Sequence, residues 1–222
     1  MSGIGLIGAL KRGQLMTNDK NIKPNSSEPN KGQIRAEKDT KNRGKKFEKA
    51  IEDSFRLEPD VSIDRIPDQT TKFKHSTNIC DYMVYRYPHM YYIECKSVHG
   101  NTLSIHSVPK LGKDGKLHGF YGNISDAQWE GLLEKSKIPG VKAGVICWWI
   151  DKDITLFLPI QQLVAMSGWA KSVRYDILDI EPWKTDSYGI VELKGRKKRT
   201  YFEYDMALLL DEINNYKGDV KQ

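Results

Sequence analysis

ICDYMVYRYPHMYYIECKSV, residues 79–98, is the stretch that decides the fold. Its two halves are rich in tyrosine and β-branched residues, which favour strands. Residues 87–89, YPH, lie between them as a turn signal, so the stretch predicts a β-hairpin. Because strand side chains alternate, Glu94 and Lys96 are expected on one face. The partner strand of the hairpin is expected to bring Asp81 close to Glu94.

Two neighbouring carboxylates and a lysine make a workable site for cleaving a phosphodiester. Asp81 and Glu94 would repel each other unless a cation lay between them, and Mg²⁺ prefers such hard oxygen ligands. The metal can activate water, while Lys96 can orient that water or stabilise charge on phosphorus. Two alternatives remain open. The strand face can be a solvated surface with cross-strand charge pairs, or the site can use Asp179 and Glu192, which share the separation of 13 positions.

Helical and strand patterns flank the hairpin on both sides. Residues 44–58 predict a helix, because apolar positions such as Phe47, Ile51 and Phe55 recur at helical spacing. The resulting order is α-β-β-β-α-β-β-α-β-β-α, a mixed α/β domain. The further predicted elements are strands at 103–108, 143–150, 153–160, 188–194 and 199–205, helices at 125–137, 160–168 and 206–216, and a glycine-rich loop at 110–123.

The charge is distributed unevenly along the chain. Residues 1–46 hold 11 Lys or Arg and 4 Asp or Glu, a net +7, and the remaining 176 residues hold 24 and 25, a net −1. Residues 11–42 are polar and rich in Lys, Asn, Ser and Pro, so we expect residues 1–42 to form a disordered basic arm. Such an arm indicates a polyanionic partner, and the alternative is a solubilising leader.

Cysteine content and hydropathy indicate the compartment. Three cysteines do not form a disulfide framework and favour a reducing environment. No run approaches the ~20 apolar residues of a membrane helix, and the N-terminus has no basic region or cleavage signal. We therefore expect a cytoplasmic protein without a membrane segment.

Several short motifs in order resemble a known nuclease family. The matching residues are Asn42, Arg43 and Gly44 with Glu48, then Asp81 and Tyr82, then residues 92–96 (YIECK), then residues 126–128 (DAQ), then Leu158 and Pro159. Residues 42–165 thereby resemble the RecU-type Holliday junction resolvases of the PD-(D/E)xK nuclease superfamily. The resemblance implies a restriction-endonuclease-like core with a mixed central sheet over residues 43–168. Residues 169–222 would be an extension, a β-hairpin and a helix packed on that core.

The resemblance also implies roles for individual residues. Asp81 and Glu94 would bind Mg²⁺, or Mn²⁺ as a substitute, with Lys96 as the catalytic lysine and Glu48 as a supporting acid. Gln128 would be a further metal-site residue, although Ser125 and Gln128 also match a helix capping box. DNA contacts are expected from basic residues in three segments: Arg43, Lys45, Lys46, Lys72, Lys74, Arg196, Lys197, Lys198 and Arg199.

The implied activity is Mg²⁺-dependent cleavage of branched DNA in recombination or repair. Two symmetric incisions would need two sites, so we expect a homodimer. The alternatives are a nuclease for flaps or duplex sites and a non-catalytic DNA-binding protein with the same fold. Ile79 stands where the family has a threonine, and the segment between the first helix and Asp81 is shorter than the family's stalk. A dinucleotide site at residues 3–8 is disfavoured because no strand precedes it, and a zinc site is disfavoured because the cysteines lack paired spacing.

Overall fold

The computed structural model describes residues 31–67, 78–105, 110–111, 117–118, 122–181, 189–197 and 202–216, and for residues 31–41, 110–111, 117–118 and 197 it describes the backbone only. In these ranges no helix combines the length and the apolar character needed to cross a bilayer. The Lys72, Lys74, Lys198 and Arg199 positions lie outside the described residues.

The elements follow an α/β order. The helices are α1 (Lys31–Arg56), α2 (Asp126–Ser136), α3 (Ile160–Ser167) and α4 (Met206–Asn215), with a 3-10 turn at Ile177–Asp179. The strands are β1 (Ser62–Arg65), β2 (Tyr82–Arg86), β3 (His89–Val98), β4 (Thr102–Ser104), β5 (Lys110–Leu111), β6 (Leu117–His118), β7 (Val141–Trp149), β8 (Ile154–Pro159), β9 (Ser172–Arg174), β10 (Val191–Glu192), β11 (Gly195–Lys197) and β12 (Phe202–Tyr204).

A mixed six-stranded sheet, in the order β1-β2-β3-β7-β8-β10, forms the centre. Strands β2 and β3 make the predicted antiparallel hairpin, with Tyr82 opposite Ile93. Strands β3 and β7 run parallel, and the other neighbours in the sheet are antiparallel. The prediction of a mixed α/β sheet flanked by helices is thus confirmed.

The sheet separates two apolar clusters. On one face, α1, α4 and β12 cover alternate residues of the strands, including Ile93 and Cys95 of β3. On the other face, α2 and α3 cover the intervening residues, including Val145 and Cys147 of β7. Strand β7, in the interior of the sheet, is therefore buried on both sides, which explains its near-continuous apolar run.

Helix α2 lies in the crossover from β3 to the parallel strand β7. Its start is the predicted capping box: Ser125 Oγ accepts from the Gln128 backbone, and the Gln128 side chain accepts from the Ser125 backbone. Leu132 is buried against the sheet, so both the start and the buried face of α2 follow from its sequence.

The structure corrects three sequence-based predictions. Helix α1 begins at Lys31, so the predicted disordered arm is wrong for residues 31–42, while residues 1–30 lie outside the described ranges. Residues 195–197 form strand β11 and pair with β12, whereas the earlier part of the predicted hairpin, β10, pairs with β8 in the central sheet. The strand predicted at 103–108 is replaced by the shorter strand β4 (Thr102–Ser104), which pairs with β9 in a separate two-stranded sheet.

Candidate active site

The first carboxylate of the candidate site, Asp81, lies immediately before β2. Its backbone N–H donates to Ile93 O at 3.1 Å, and its carbonyl accepts from Ile66 N at 2.8 Å. Its side-chain Oδ2 accepts from the backbone N–H of Cys95 at 2.8 Å. The bonds to Ile93 and Cys95 tie Asp81 to β3, and the bond from Ile66 ties it to the chain that follows β1. Because Tyr82 pairs with Ile93, the same register places Asp81 opposite Glu94.

The second carboxylate, Glu94, is buried in the middle of β3. Its residue exposure is 2%, and the side chain points to the α2 face of the sheet. Gln128 Nε2 donates to Glu94 Oε1 at 2.5 Å, and Lys96 Nζ lies 2.7 Å from the same oxygen. Among the described residues, Glu94 Oε2 has no hydrogen-bond partner. Since a buried carboxylate oxygen without a partner is costly, this atom marks a place where a ligand would be accommodated.

Electrostatics at Glu94 reflect this burial. Desolvation, followed by the charge of Asp81, raises the pKa of Glu94 to about 7, while Lys96 acts in the opposite direction. A divalent cation would relieve this arrangement, in which burial and the charge of Asp81 both oppose the ionisation of Glu94.

Lys96 and Gln128 form a polar pair beside Glu94. Lys96 Nζ donates to Gln128 Oε1 at 3.2 Å, and 22% of the lysine side chain is exposed. Gln128 Oε1 also accepts from Ser125 N at 3.0 Å. Gln128 therefore caps α2 and contacts Glu94 and Lys96 at the same time, and its Oε1 is engaged by both Ser125 and Lys96.

Glu48 lies on the other side of the sheet. Its Oε2 accepts from Arg65 at 2.9 Å, and Arg65 in turn lies over the ring of Tyr82. The charge of Glu48 nevertheless contributes, as the smallest of the causes, to the raised pKa of Glu94. Arg65 was not anticipated from the sequence because its four-residue strand carries no recognisable motif.

The predicted DNA-contacting residues divide between the helix and the hairpin. Arg43, Lys45 and Lys46 are exposed on α1, and Arg196 is exposed on β11. None of these four lies on the α2 face with Glu94, because α1 and β12 cover the opposite side of the sheet. The alternative acids are exposed: Asp179 ends the 3-10 turn, and Glu192 lies on β10 opposite Leu156.

The donor set fits a hard divalent cation better than zinc. In the described ranges no three His, Cys, Asp or Glu side chains cluster as metal ligands, so the protein would supply two carboxylates. Mg²⁺ accepts such a set because water and phosphate oxygens complete its octahedron. Burial raises the pKa of Cys80 to about 12 and holds the pKa of Cys95 well above its usual range, so neither thiol is a ready thiolate ligand.

We compared the sequence with protein-family models and with curated proteins. No family model matches the chain, and no match is found among curated proteins.

Proposed function

We propose that this protein is a Mg²⁺-dependent DNA endonuclease that hydrolyses phosphodiester bonds in branched DNA, as RecU-type resolvases do. One observation carries the proposal: buried Glu94, with its unpartnered Oε2, lies opposite Asp81 and in contact with Lys96. A structural ion pair between Glu94 and Lys96 alone would not need the second carboxylate. The combination is the minimal equipment for metal-assisted attack on a phosphodiester.

The order of elements supports the proposal. A helix packs against a β-hairpin, the second strand of the hairpin carries Glu94 and Lys96, and a helical crossover leads to a parallel strand. A restriction-endonuclease-like core has this sequence of elements. Because the mixed sheet is compatible with other α/β folds, the side chains of Asp81, Glu94 and Lys96 support the proposal together with the topology.

Asp81 and Glu94 would hold the cation. Bound Mg²⁺ would supply a water of lowered pKa and positive charge close to the scissile phosphate. The present hydrogen bonds direct the amide nitrogen of Gln128 to Glu94, so ligation by Gln128 would require its amide to turn. In its present orientation, Gln128 positions the carboxylate.

Lys96 would contact the phosphate directly. The side chain is partly exposed, and its ammonium group contacts Glu94 Oε1 and Gln128 Oε1. A positioned cation next to a phosphate stabilises the charge that develops as the water attacks. Removing Lys96 would therefore slow the chemical step more than DNA binding.

The proposal is tested with a labelled four-way junction, a flap and a linear duplex, each with Mg²⁺ or EDTA. We expect Mg²⁺-dependent cleavage of the junction that Asp81→Asn and Lys96→Ala abolish without abolishing binding. Glu192→Ala is the matched control, because this exposed acid has the same sequence spacing, and it should cut normally.

The outcomes separate the alternatives. Undiminished cutting by Glu94→Ala would exclude the site. Cleavage of the flap or the duplex in preference to the junction would indicate another nuclease of the same fold. Tight binding without cutting, with either Mg²⁺ or Mn²⁺, would indicate a non-catalytic DNA-binding protein. Sedimentation of the protein tests the expected homodimer.

A further inference from the structure

Helix α1 runs antiparallel to β3 and continues beyond it. Near the end of β3, a methyl group at Gly44 would lie 3.5 Å from Ser97 Oγ. After α1 ends, Asp60 binds Arg86 at 2.7 Å, and Arg86 pairs with His89 at the start of β3. Residues 31–43 therefore precede the level of Ser97 and extend past the end of the strand, by about 20 Å at 1.5 Å per residue.

Basic positions follow one face of this extended part. Lys31, Arg35, Lys38 and Lys45 succeed one another at intervals of four, three and seven residues, so these four basic positions share one side of the helix. Residues 31–46 contain seven basic and two acidic residues, a net +5.

The basic face is opposite the buried face. Lys45 is exposed, whereas Phe47, two residues further and about 200° around the helix, is 4% exposed and packs on the sheet. Phe47 stacks on Trp148 with ring centroids 5.6 Å apart. At Lys45, the shared side of the basic positions therefore faces away from the sheet, whose other face carries Glu94.

The β11–β12 hairpin extends toward the same end of the molecule. Tyr204 N donates to Ser54 Oγ at 3.0 Å, while the ring of Phe202 lies 6.2 Å from that of Trp148. Passing from Tyr204 to Phe202 thus leads from the last turn of α1, at Ser54, toward the level of Ser97, which pairs with Trp148. Arg196, opposite Glu203 in this hairpin, is exposed.

We propose that the basic face of α1, assisted by Arg196, is an anchoring surface for the backbone of duplex DNA, separate from the carboxylate site across the sheet. The inference deepens the proposed function and takes its DNA substrate from it. The basic positions extend along about 21 Å of helix, from Lys31 to Lys45, and their charge is complementary to the phosphates of a duplex, which would release counterions on binding.

The helical form of the segment favours duplex DNA over duplex RNA. An α-helix with side chains is about 10–12 Å wide, and the major groove of B-DNA is about 12 Å wide. The major groove of A-form RNA is deep and too narrow for side chains to enter. The width of a basic helix therefore matches a DNA groove, whereas a disordered basic arm would bind either polymer.

The first test is binding of the full-length protein to a 30-base-pair DNA duplex in EDTA, followed by fluorescence anisotropy at several salt concentrations. Lys38→Gln with Lys45→Gln should lower the slope of log K against log salt by about 1.8, since each phosphate contact contributes about 0.9. Adding Arg196→Gln should lower it further. Lys137→Gln with Lys142→Gln, at the opposite end of the sheet, is the matched control and should leave the slope unchanged. Equal slopes for the two double variants would overturn the proposal.

The second test separates helix from charge. Ala36→Pro should break the extended part of α1 without altering any charge, and Ala36→Ser should preserve it. We expect the proline variant to bind the DNA duplex at least tenfold more weakly, to lose its preference over an RNA duplex, and to keep the thermal transition of the core. If the proline variant keeps its affinity for the DNA duplex and its preference over the RNA duplex, the proposal that the surface binds as a helix is refuted.

The two proposals fail separately, because binding in EDTA needs no cleavage. If the Lys38 and Lys45 substitutions weaken binding but no substrate is ever cut, the anchoring surface stands and the proposed nuclease does not. If junctions are cut at the Glu94 site while the substitutions leave the salt slope intact, the nuclease stands and the anchoring surface is refuted.

Discussion

In the absence of metal, the free energy of unfolding should fall as the pH rises from about 4.5 to about 7, because of Glu94. The unfolded carboxyl group releases its proton near the ordinary pKa of 4.5, while the folded group retains it to about 7. Between these values unfolding releases a proton, so rising pH favours the unfolded state. The stabilisation is complete below pH 4.5, is lost up to pH 7, and does not change above it.

The magnitude follows from the two pKa values. A shift from 4.5 to about 7 at 1.36 kcal/mol per pKa unit corresponds to about 3 kcal/mol. Glu94→Gln cannot ionise, so the difference in unfolding free energy between wild type and variant should change by about 3 kcal/mol across this range. Asp81→Asn should remove only part of the dependence, because burial, the larger cause, remains.

The assay is urea unfolding in EDTA at pH 4.5, 5.5, 6.5 and 7.5, followed by tryptophan fluorescence. Comparing wild type with Glu94→Gln cancels the other titrating groups and leaves a constant offset for the changed hydrogen bonding. Mg²⁺ at pH 7.5 should stabilise the wild type and not the variant, since a ligand of the native state adds stability. If the difference between the two proteins stays constant from pH 4.5 to 7.5, the reasoning about Glu94 is refuted.

Three further predictions concern packing, capping and the competing acid. Gly144→Ala should destabilise the fold by about 1–3 kcal/mol, because its new methyl group would meet Leu158 O at 2.6 Å; Gly168→Ala, with its nearest atom at 3.6 Å, should change the urea midpoint little. Ser125→Ala should lower the free energy of unfolding by about 1 kcal/mol, because α2 loses its N-cap. It should also slow cleavage, because Gln128 loses one of its partners. Cleavage at the normal rate would show that the cap does not contribute to the active site. Glu192→Ala should leave the stabilisation by Mg²⁺ intact. If this variant is no longer stabilised by Mg²⁺, the metal binds at Glu192 on β10 and not at Glu94.

Local features were predictable where the sequence itself carries the interaction. The β2–β3 hairpin follows from two β-rich runs around a turn, and its alternation gives Glu94 and Lys96 a common face. The start of α2 follows from a capping box whose two partners are three residues apart. Both depend only on neighbouring residues, so composition and spacing are sufficient.

Elements that depend on distant partners were missed or misassigned. The polar composition of residues 31–42 predicted disorder, yet this stretch contains no proline and continues from the packed half of α1. Once a helix is nucleated, each further residue adds a hydrogen bond at small cost, so packing at Phe47 and Phe55 can support the polar turns before it. Strands β1 and β9 have four and three residues and exist through their partners.

By itself, the sequence determined the chemical inventory, two carboxylates and a lysine on a hairpin, and the alternation that gives Glu94 and Lys96 one face. The burial, protonation and contacts of these side chains depend on the tertiary structure. The α2 layer buries Glu94, raises its pKa and brings Gln128 into contact with it, and the sheet separates this site from the basic face of α1. Burial and electrostatic coupling arise between residues distant in the chain, and spacing along a sequence carries no measure of either.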